Sequence, residues 1–409
     1  MAKVSKRRLP SGEVRWQFGY RDRDGKRRFK MFERKADADA YAIEVGGQLK
    51  AGIHTAPAKS ITVQTAGELW LAWAGREGLE VGTVRQYRQH LQLHIAPLIG
   101  SKRLCDLTAA DVAAFRNALL DTRSRALSRA ILTSLKGIIR EAQIDGKVGH
   151  NVAAAVQISR KKRGPDGAKA MAVKDLLDKV FTKDRIRMIV TKSAELWPEF
   201  KKIERTRKRE EKIVAVCWRP FILTALFSGM RCSELRGLTW DHVNLEVGLI
   251  QVRQRADFQA TMGAPKTEES VRDIPMTPMV LNTLRQWKLA CPATPARLVF
   301  PTENGRVHSN TNIHKQCWRP MLHAIGLVDV TRDEGGKRRE KPLATFHHLR
   351  HVAASLLIEQ GWLPKKVQMV MGHSSITVTY DTYGKLFPDA QSDQNAMAEM
   401  ETRLLRPVG

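Results

Sequence analysis

The hydrophobic periodicity of this chain changes character twice, and each change falls beside a linker-like stretch. Residues 14–32 alternate with a period of two, as half-buried strands do. From Ile61 to about residue 155 the period is helical. From 176 onward helical spacing still dominates, but strand-like runs return at Leu249 to Arg253 and Val271 to Pro275. The breaks are Ala56-Pro57-Ala58-Lys59-Ser60 and residues 156–175, which contain Arg160-Lys161-Lys162-Arg163-Gly164-Pro165. At roughly 150 residues per domain, a chain of 409 residues patterned this way forms two or three domains. The expected fold class is multidomain: a small β-β-α N-terminal unit (1–58), an all-α domain (61–158), a basic linker (159–175), a mainly α, mixed α+β domain (176–390) and a C-terminal tail (391–409).

Local signals sharpen this outline. Val14, Trp16 and Phe18 share one strand face, and Phe29 and Met31 oppose Arg28 and Lys30. Asp24-Gly25 between the two runs is a hairpin signal. A helix is expected from Lys35 to about Leu49, ended near Gly52, and it would cover the aromatic face of the sheet. Leu69, Trp70, Trp73, Val84, Tyr87, Leu91 and Leu93 have amphipathic helical spacing. Thr108-Ala109-Ala110-Asp111 reads as an N-cap with an acid at N3. A further helix carries Leu132, Leu135, Ile138 and Ile139. The Cys-Trp-Arg-Pro tetrapeptide at 217–220 and 317–320 has unmatched flanks and is read as coincidence.

The formal charge is +27, and the first 30 residues hold 11 Lys/Arg against three acids. Such an excess makes a polyanion the leading partner, because a cationic face displaces counterions from phosphates. A hydrophobic content of 43% excludes a largely disordered basic tail protein. No run of 18 apolar residues exists, so no membrane-spanning helix is expected, and the N-terminus lacks a signal-peptide core. Five scattered cysteines without Cys-x-x-Cys suit a reducing compartment. A cytoplasmic location follows as the expectation.

Five patterns in the last 200 residues could carry chemistry. Ser228 is positioned to cap a helix that would place Arg231 in its first turn, where N–H groups and a guanidinium make an anion site; a plain Arg231–Glu234 pair at i+3 is the competing reading. Lys266 lies about five residues before the strand from Val271. His347 and Arg350, in His347-His348-Leu349-Arg350-His351, share a helix face. His347 and His351 also have i, i+4 metal spacing, but His348 stands where the metalloprotease pattern needs Glu. Met371-Gly372-His373-Ser374-Ser375 is a turn with a helix cap. Tyr380 and Tyr383 are two of only five tyrosines. Taken singly, each pattern is ordinary structural chemistry.

In the order Arg, Lys, His-x-x-Arg, Gly-His, Tyr, these patterns resemble the tyrosine recombinase (phage integrase) family. The match runs through GMRCSEL, PKTEESVRDIPM, HHLRH and MGHSSITVTYDTYGKLFP. LIGSKRLCDLTAADVAAFRNAL resembles the family's helical core-binding domain, and the N-terminal unit resembles an arm-type DNA-binding domain. The charged run KKIERTRKREEK, within 201–212, fits nothing in the pattern. Carried over by motif, the resemblance implies catalytic Arg231, Lys266, His347, Arg350 and His373, with Tyr383 as nucleophile and Tyr380 as competitor. His348 stands where the family often has Asp.

The implied reaction is phenolic attack on a DNA phosphodiester, giving a 3′-phosphotyrosyl link and a free 5′-hydroxyl. It keeps the phosphoester bond energy, so no nucleotide triphosphate, cofactor or metal is expected. The resemblance implies double-stranded DNA partners at core and arm sites and a tetramer on DNA. It leaves room for an excisionase and a DNA-bending host protein. The tail, with Met397, Met400, Leu404 and Leu405, is expected to pack on a neighbouring subunit. Three other readings compete: type IB topoisomerase-like nicking and resealing, a DNA-binding regulator that does not cut, and a metal-dependent nuclease.

Overall fold

The computed structural model describes residues 3–22, 25–50, 54, 60–159, 173–205, 211–332 and 335–387, with Met397, Met400, Glu401 and Leu405 of the tail; over 201–215 it describes the backbone alone. The chain divides into two compact units, 1–164 and 165–409, each described here by itself. Most of the basic linker, Asp24, Gly52 and all but four positions of the tail lie outside the described residues, so the readings placed on them stand as expectations.

The first unit begins with three strands, one more than the sequence suggested: β1 (Lys3–Arg8), β2 (Val14–Arg21) and β3 (Arg27–Phe32). They form an antiparallel sheet of order β1-β2-β3. The lysine- and arginine-rich β1 has little apolar alternation, which is why its strand character was not legible. Helix α1 (Lys35–Lys50) packs on the sheet and covers Phe18 and Tyr20. The expected faces of β3 are inverted. Phe18 pairs with Lys30 and Tyr20 with Arg28 across the ladder, so those cations share the inner face with the aromatics. Arg28 is held by the buried Asp22 at 2.9 Å, and the Lys30 ammonium lies 4.5 Å from the centre of the Tyr41 ring. Both cations therefore have partners that offset the cost of partial burial. Phe29 is left 67% exposed on the outer face, beside Gly19.

The helical part of this unit comprises α2 (Val63–Arg76), α3 (Val81–His90), α4 (Ala96–Ile99), α5 (Ala109–Thr122) and α6 (Arg125–Ile144). One wider turn, Leu91–Ile95, joins α3 to α4, with Pro97 tolerated in the first turn of α4. The reciprocal Thr108–Asp111 cap forms as expected at the start of α5. Trp70, Leu91, Phe115, Leu132, Leu135, Ile138 and Ile139 fill one core. Leu69 and Leu93, counted in the amphipathic pattern, instead face solvent.

The second unit is built around α9 (Trp218–Ser228), which is apolar on every side and almost wholly buried. Before it come α7 (Val173–Lys179), α8 (Lys183–Leu196) and a hairpin the sequence did not announce, β4 (Lys201–Arg205) and β5 (Glu211–Ala215). Its strands take up the two ends of the charged run, and residues 206–210 between them lie outside the described residues. After α9 come α10 (Cys232–Arg236) and a sheet of order β10-β7-β6, from β6 (Val243–Asn244), β7 (Leu249–Val252) and β10 (Arg272–Pro275). The expected pairing of the 249 and 271 segments is present, with Val252 opposite Arg272. A small ladder of β8 (Arg255–Ala256) and β9 (Met262–Gly263) leads to the Lys266 loop. Then follow α11 (Pro278–Ala290), α12 (Asn310–Asn312), α13 (Arg319–Ala324), a second unannounced hairpin of β11 (Val328–Arg332) and β12 (Arg338–Pro342), and finally α14 (His348–Glu359), α15 (Pro364–Met371) and α16 (Ile376–Tyr383). No helix among the described residues is long and apolar enough to cross a membrane.

Candidate active site

Two glycines organise the site. Gly229 ends α9 and Gly372 ends α15, both in the left-handed conformation with φ of +64° and +63°. Only glycine adopts this without strain, and it turns the last carbonyls of each helix outward. A Cβ on Gly229 would lie 2.7 Å from Met371 Sδ, and one on Gly372 would lie 3.0 Å from Arg272 Nη1. Each turn thus serves both backbone direction and close packing.

The freed carbonyls hold the arginines. Arg231 Nη2 donates to Gly372 O at 2.7 Å. Arg350 Nη1 donates to Gly229 O at 2.5 Å, and its Nη2 donates to Met371 O. Adjacent residues 371 and 372 therefore fix two guanidiniums, and His373 is next in the chain. Arg231 is not in the first turn of a helix begun by Ser228. Ser228 is the last residue of α9, and Arg231 immediately precedes α10, where its N–H donates to Glu234 Oε2 at 2.8 Å. The i+3 ion pair is present too, with Arg231 Nη1 2.8 Å from Glu234 Oε1.

Glu234 is 2% exposed and also receives a forked pair from Arg272, at 2.9 and 3.2 Å. Arg272 Nε donates to Val370 O. Burial alone would raise the Glu234 carboxyl; the charge and hydrogen bonds of Arg272, then of Arg231, outweigh it and hold the group below the usual carboxylate range. Glu234 and Arg272 thus form a fixed counter-charge beneath Arg231. Sequence reasoning missed Arg272. The signal was the phase of its strand: Arg272 falls on the same buried face as Ile274, and a cation there requires a partner.

His347 caps the start of α14 and opens to solvent, while Arg350 one turn on is buried. Burial lowers Arg350 to about 9, still cationic at neutral pH, with the charges of Arg231 and Arg272 acting in the same direction. The surrounding protein, then the charge of Arg350, holds His347 below its ordinary value. His373 is buried, with Nδ1 2.9 Å from Thr379 Oγ1; burial first, then Arg350 and Arg231, bring it to about 4.

Tyr383, at the end of α16, is 1% exposed, and burial pushes its phenol to about 12. Its ring lies parallel to His373 at 6.0 Å, and its hydroxyl is 2.9 Å from His351 Nδ1. Tyr380 is 52% exposed and its ring lies tilted against that of Phe387 at 5.9 Å. Lys266 is exposed in the bend after β9. Its neighbour Thr267 meets Ser270 Oγ at 3.2 Å, and Ser270 accepts from Arg231 Nη1 at 3.1 Å, so the lysine loop is tied to the arginine. His351, which the motif reading gave no role, is the direct partner of the phenol.

Two guanidiniums, a cluster of imidazoles and a buried phenol converging in one recess make a site suited to phosphoryl transfer through tyrosine. Comparison with known proteins agrees with that class. Residues 199–389 match the phage integrase family, and residues 62–120 match its N-terminal SAM-like domain. An integrase of Streptomyces ambofaciens is 26% identical over 381 residues, covering 89% of this chain and 87% of its own. The prophage integrase IntR of Escherichia coli is 28% identical over 42% of this chain and 44% of its own. The ICEBs1 integrase of Bacillus subtilis is 28% identical over 43% and 47%. The match thus spans under half the length of those last two relatives. Among solved structures, the Tn1549 transposon integrase with a circular intermediate DNA superposes with a TM-score of 0.60 at 19% identity, over 84% of this chain and 99% of that one. A lambda integrase tetramer bound to a Holliday junction gives 0.52 at 20% identity, over 91% and 96%. The chain belongs to the phage integrase family and is a tyrosine-type site-specific recombinase.

Proposed function

We propose that this recombinase integrates or excises a phage or mobile element, with Tyr383 as nucleophile and Arg231, Lys266, His347, Arg350 and His373 as its catalytic set. The observation that carries the assignment is the convergence of Arg231, Arg350, His373 and Tyr383 on the turn at 371–373. Attack by the Tyr383 oxygen on the scissile phosphorus forms the 3′-phosphotyrosyl bond as the bond to the 5′-oxygen breaks. The five-coordinate phosphate gathers charge on its non-bridging oxygens, and two guanidiniums bind these with forked hydrogen bonds. His373 adds a donor. The 5′-oxygen leaves poorly as an alkoxide, and Lys266 on its exposed loop is the acid that protonates it. Rejoining runs the same steps in reverse.

Double-stranded DNA is the partner throughout. The helical residues 61–158 and the catalytic unit take the core site. The outer face of the N-terminal sheet takes a second, arm-type site; the ladder register puts Lys3, Arg7, Arg21 and Arg27 on the same face as Phe29. Lambda integrase, which shares the fold, has been solved as a tetramer on a Holliday junction, and a tetramer is proposed for this chain on DNA. The setting is the bacterial cytoplasm, with an excisionase and a DNA-bending host protein as candidate accessories.

The test is a nicked duplex carrying the element's own end sequence, incubated with the full chain in EDTA and resolved on a denaturing gel. A protein–DNA adduct that disappears with Tyr383→Phe and persists with Tyr380→Phe is expected. An adduct that follows Tyr380 instead, or tight binding with no adduct at all, would overturn the assignment.

A further inference from the structure

We propose that His351 takes the proton of the Tyr383 hydroxyl during cleavage, acting as a catalytic base that the motif set does not include. The inference rests on Tyr383 being the nucleophile.

The geometry carries it. His351 Nδ1 is 2.9 Å from the phenolic oxygen, the distance a base needs to the proton it removes. The two side chains come from separate helices, α14 and α16, so their meeting is made by the fold and not by sequence proximity. His347, the motif's histidine, reaches His351 ring to ring with centres 5.3 Å apart. His373 Nδ1 is engaged by Thr379. With Tyr383 1% exposed, bulk water has little access to its proton, and a built-in acceptor is required.

The step balances. The neutral ring carries its proton on Nε2 and accepts at Nδ1. The O–H bond breaks, an N–H bond forms on His351, and the oxygen pair attacks phosphorus. The bond from phosphorus to the 5′-oxygen breaks, and the proton which that oxygen takes up is supplied separately by Lys266.

The setting makes the base conditional on substrate. Burial, then the charges of His347, His348 and Arg350, leave His351 at about 4 in the free protein, a reluctant acceptor. Arg231 and Arg272 add positive charge across the site, and Glu234 beneath them is already shared. A bound phosphodiester neutralises Arg350, the guanidinium that disfavours the imidazolium, so the proton affinity of His351 rises when DNA occupies the site. The free enzyme keeps a protonated, buried nucleophile.

The test is single-turnover adduct formation on the nicked duplex between pH 5 and 9, with DNA affinity measured alongside as a check on folding. His351→Ala is expected to slow cleavage about 100-fold, the lower end of what a positioned base contributes, and to be rescued in proportion to added imidazole. His351→Asn keeps an acceptor near the Nδ1 position but cannot hold the proton, so it is expected to stay slow. A duplex with sulfur in place of the 5′-bridging oxygen needs no acid; it should restore a Lys266→Ala variant and leave His351→Ala slow. Cleavage by His351→Asn at the wild-type rate, or His351→Ala with an unchanged pH profile and no imidazole response, would overturn the role of His351. An adduct retained by Tyr383→Phe would instead overturn the nucleophile assignment beneath it.

Discussion

A buried carboxylate shared by two arginines decides how this site holds its charge. Glu234 accepts from Arg231 and from Arg272, and both contacts are far less screened than surface pairs. Removing one partner of such a group costs about 3–5 kcal/mol, because the other charge is left buried without a counter-ion. Glu234→Gln keeps the shape and some hydrogen bonds, but leaves Arg272 without its counter-charge. Its expected effect is a loss on the order of 3 kcal/mol in denaturant unfolding, with a larger fall in adduct formation than in DNA affinity, because Arg231 loses the charged one of its three partners. Wild-type stability in this variant would mean that Arg272 is satisfied by the carbonyls of Val370 and Ser270 alone. The six motif residues were legible because each belongs to a short phrase with a fixed order. Glu234 was named as the i+3 partner of Arg231, but Arg272, Ser270 and the sharing of Glu234 between two arginines were not, since these depend on contacts 38 or 39 residues apart in the chain that no local phrase encodes. His351 stood inside a recognised phrase, yet its partner in α16 emerges only in three dimensions.

At the scale of elements, periodicity served well where one face alone is buried. The cap of α5 and the core positions of α6 follow directly from their sequences, as does the pairing of β7 with β10. It failed where cations lie on a covered face. Arg28 and Lys30 were read as outward because charge favours water, but Asp22 and the Tyr41 ring provide partners inside. The same inversion leaves Phe29 outside, opposite Gly19, in a basic setting. An exposed aromatic that shares a sheet face with several cations suits a DNA groove, where apolar contacts and phosphate contacts act together. Replacing Arg7 and Arg27 with alanine should therefore weaken binding to arm DNA. If each makes one phosphate contact, the slope of log affinity against log salt should flatten by up to about 1.8, at about 0.9 per contact. Far-ultraviolet circular dichroism should stay unchanged, because neither side chain packs in the core. A steep, unaltered salt slope would assign the arm contact to another surface.

For the whole molecule, acid should be the condition that undoes it first. His308 and His373 are buried and His351 is half-buried, and all three are lowered to about 4, with desolvation as the largest cause in each. An unfolded chain protonates the same rings near the ordinary value of about 6.5. Between these limits the unfolded state binds more protons, so stability rises with pH across the window and is lost as pH falls from about 6.5 toward 4. Each ring contributes a slope of up to about 1.4 kcal/mol per pH unit there. The net charge of +27 adds self-repulsion that grows as carboxylates protonate. Melting curves from pH 7 to 4.5 should show a steep fall in Tm. His308 offers the cleanest check, because it lies against Cys217 and Pro301 and is outside the proposed catalytic set. His308→Gln cannot take up a proton, so it should lower stability at pH 7 yet reduce the acid slope by about one ring's share. The same slope in variant and wild type would show that His308 does not exclude protons in the folded protein, and that acid lability arises from repulsion among the cations.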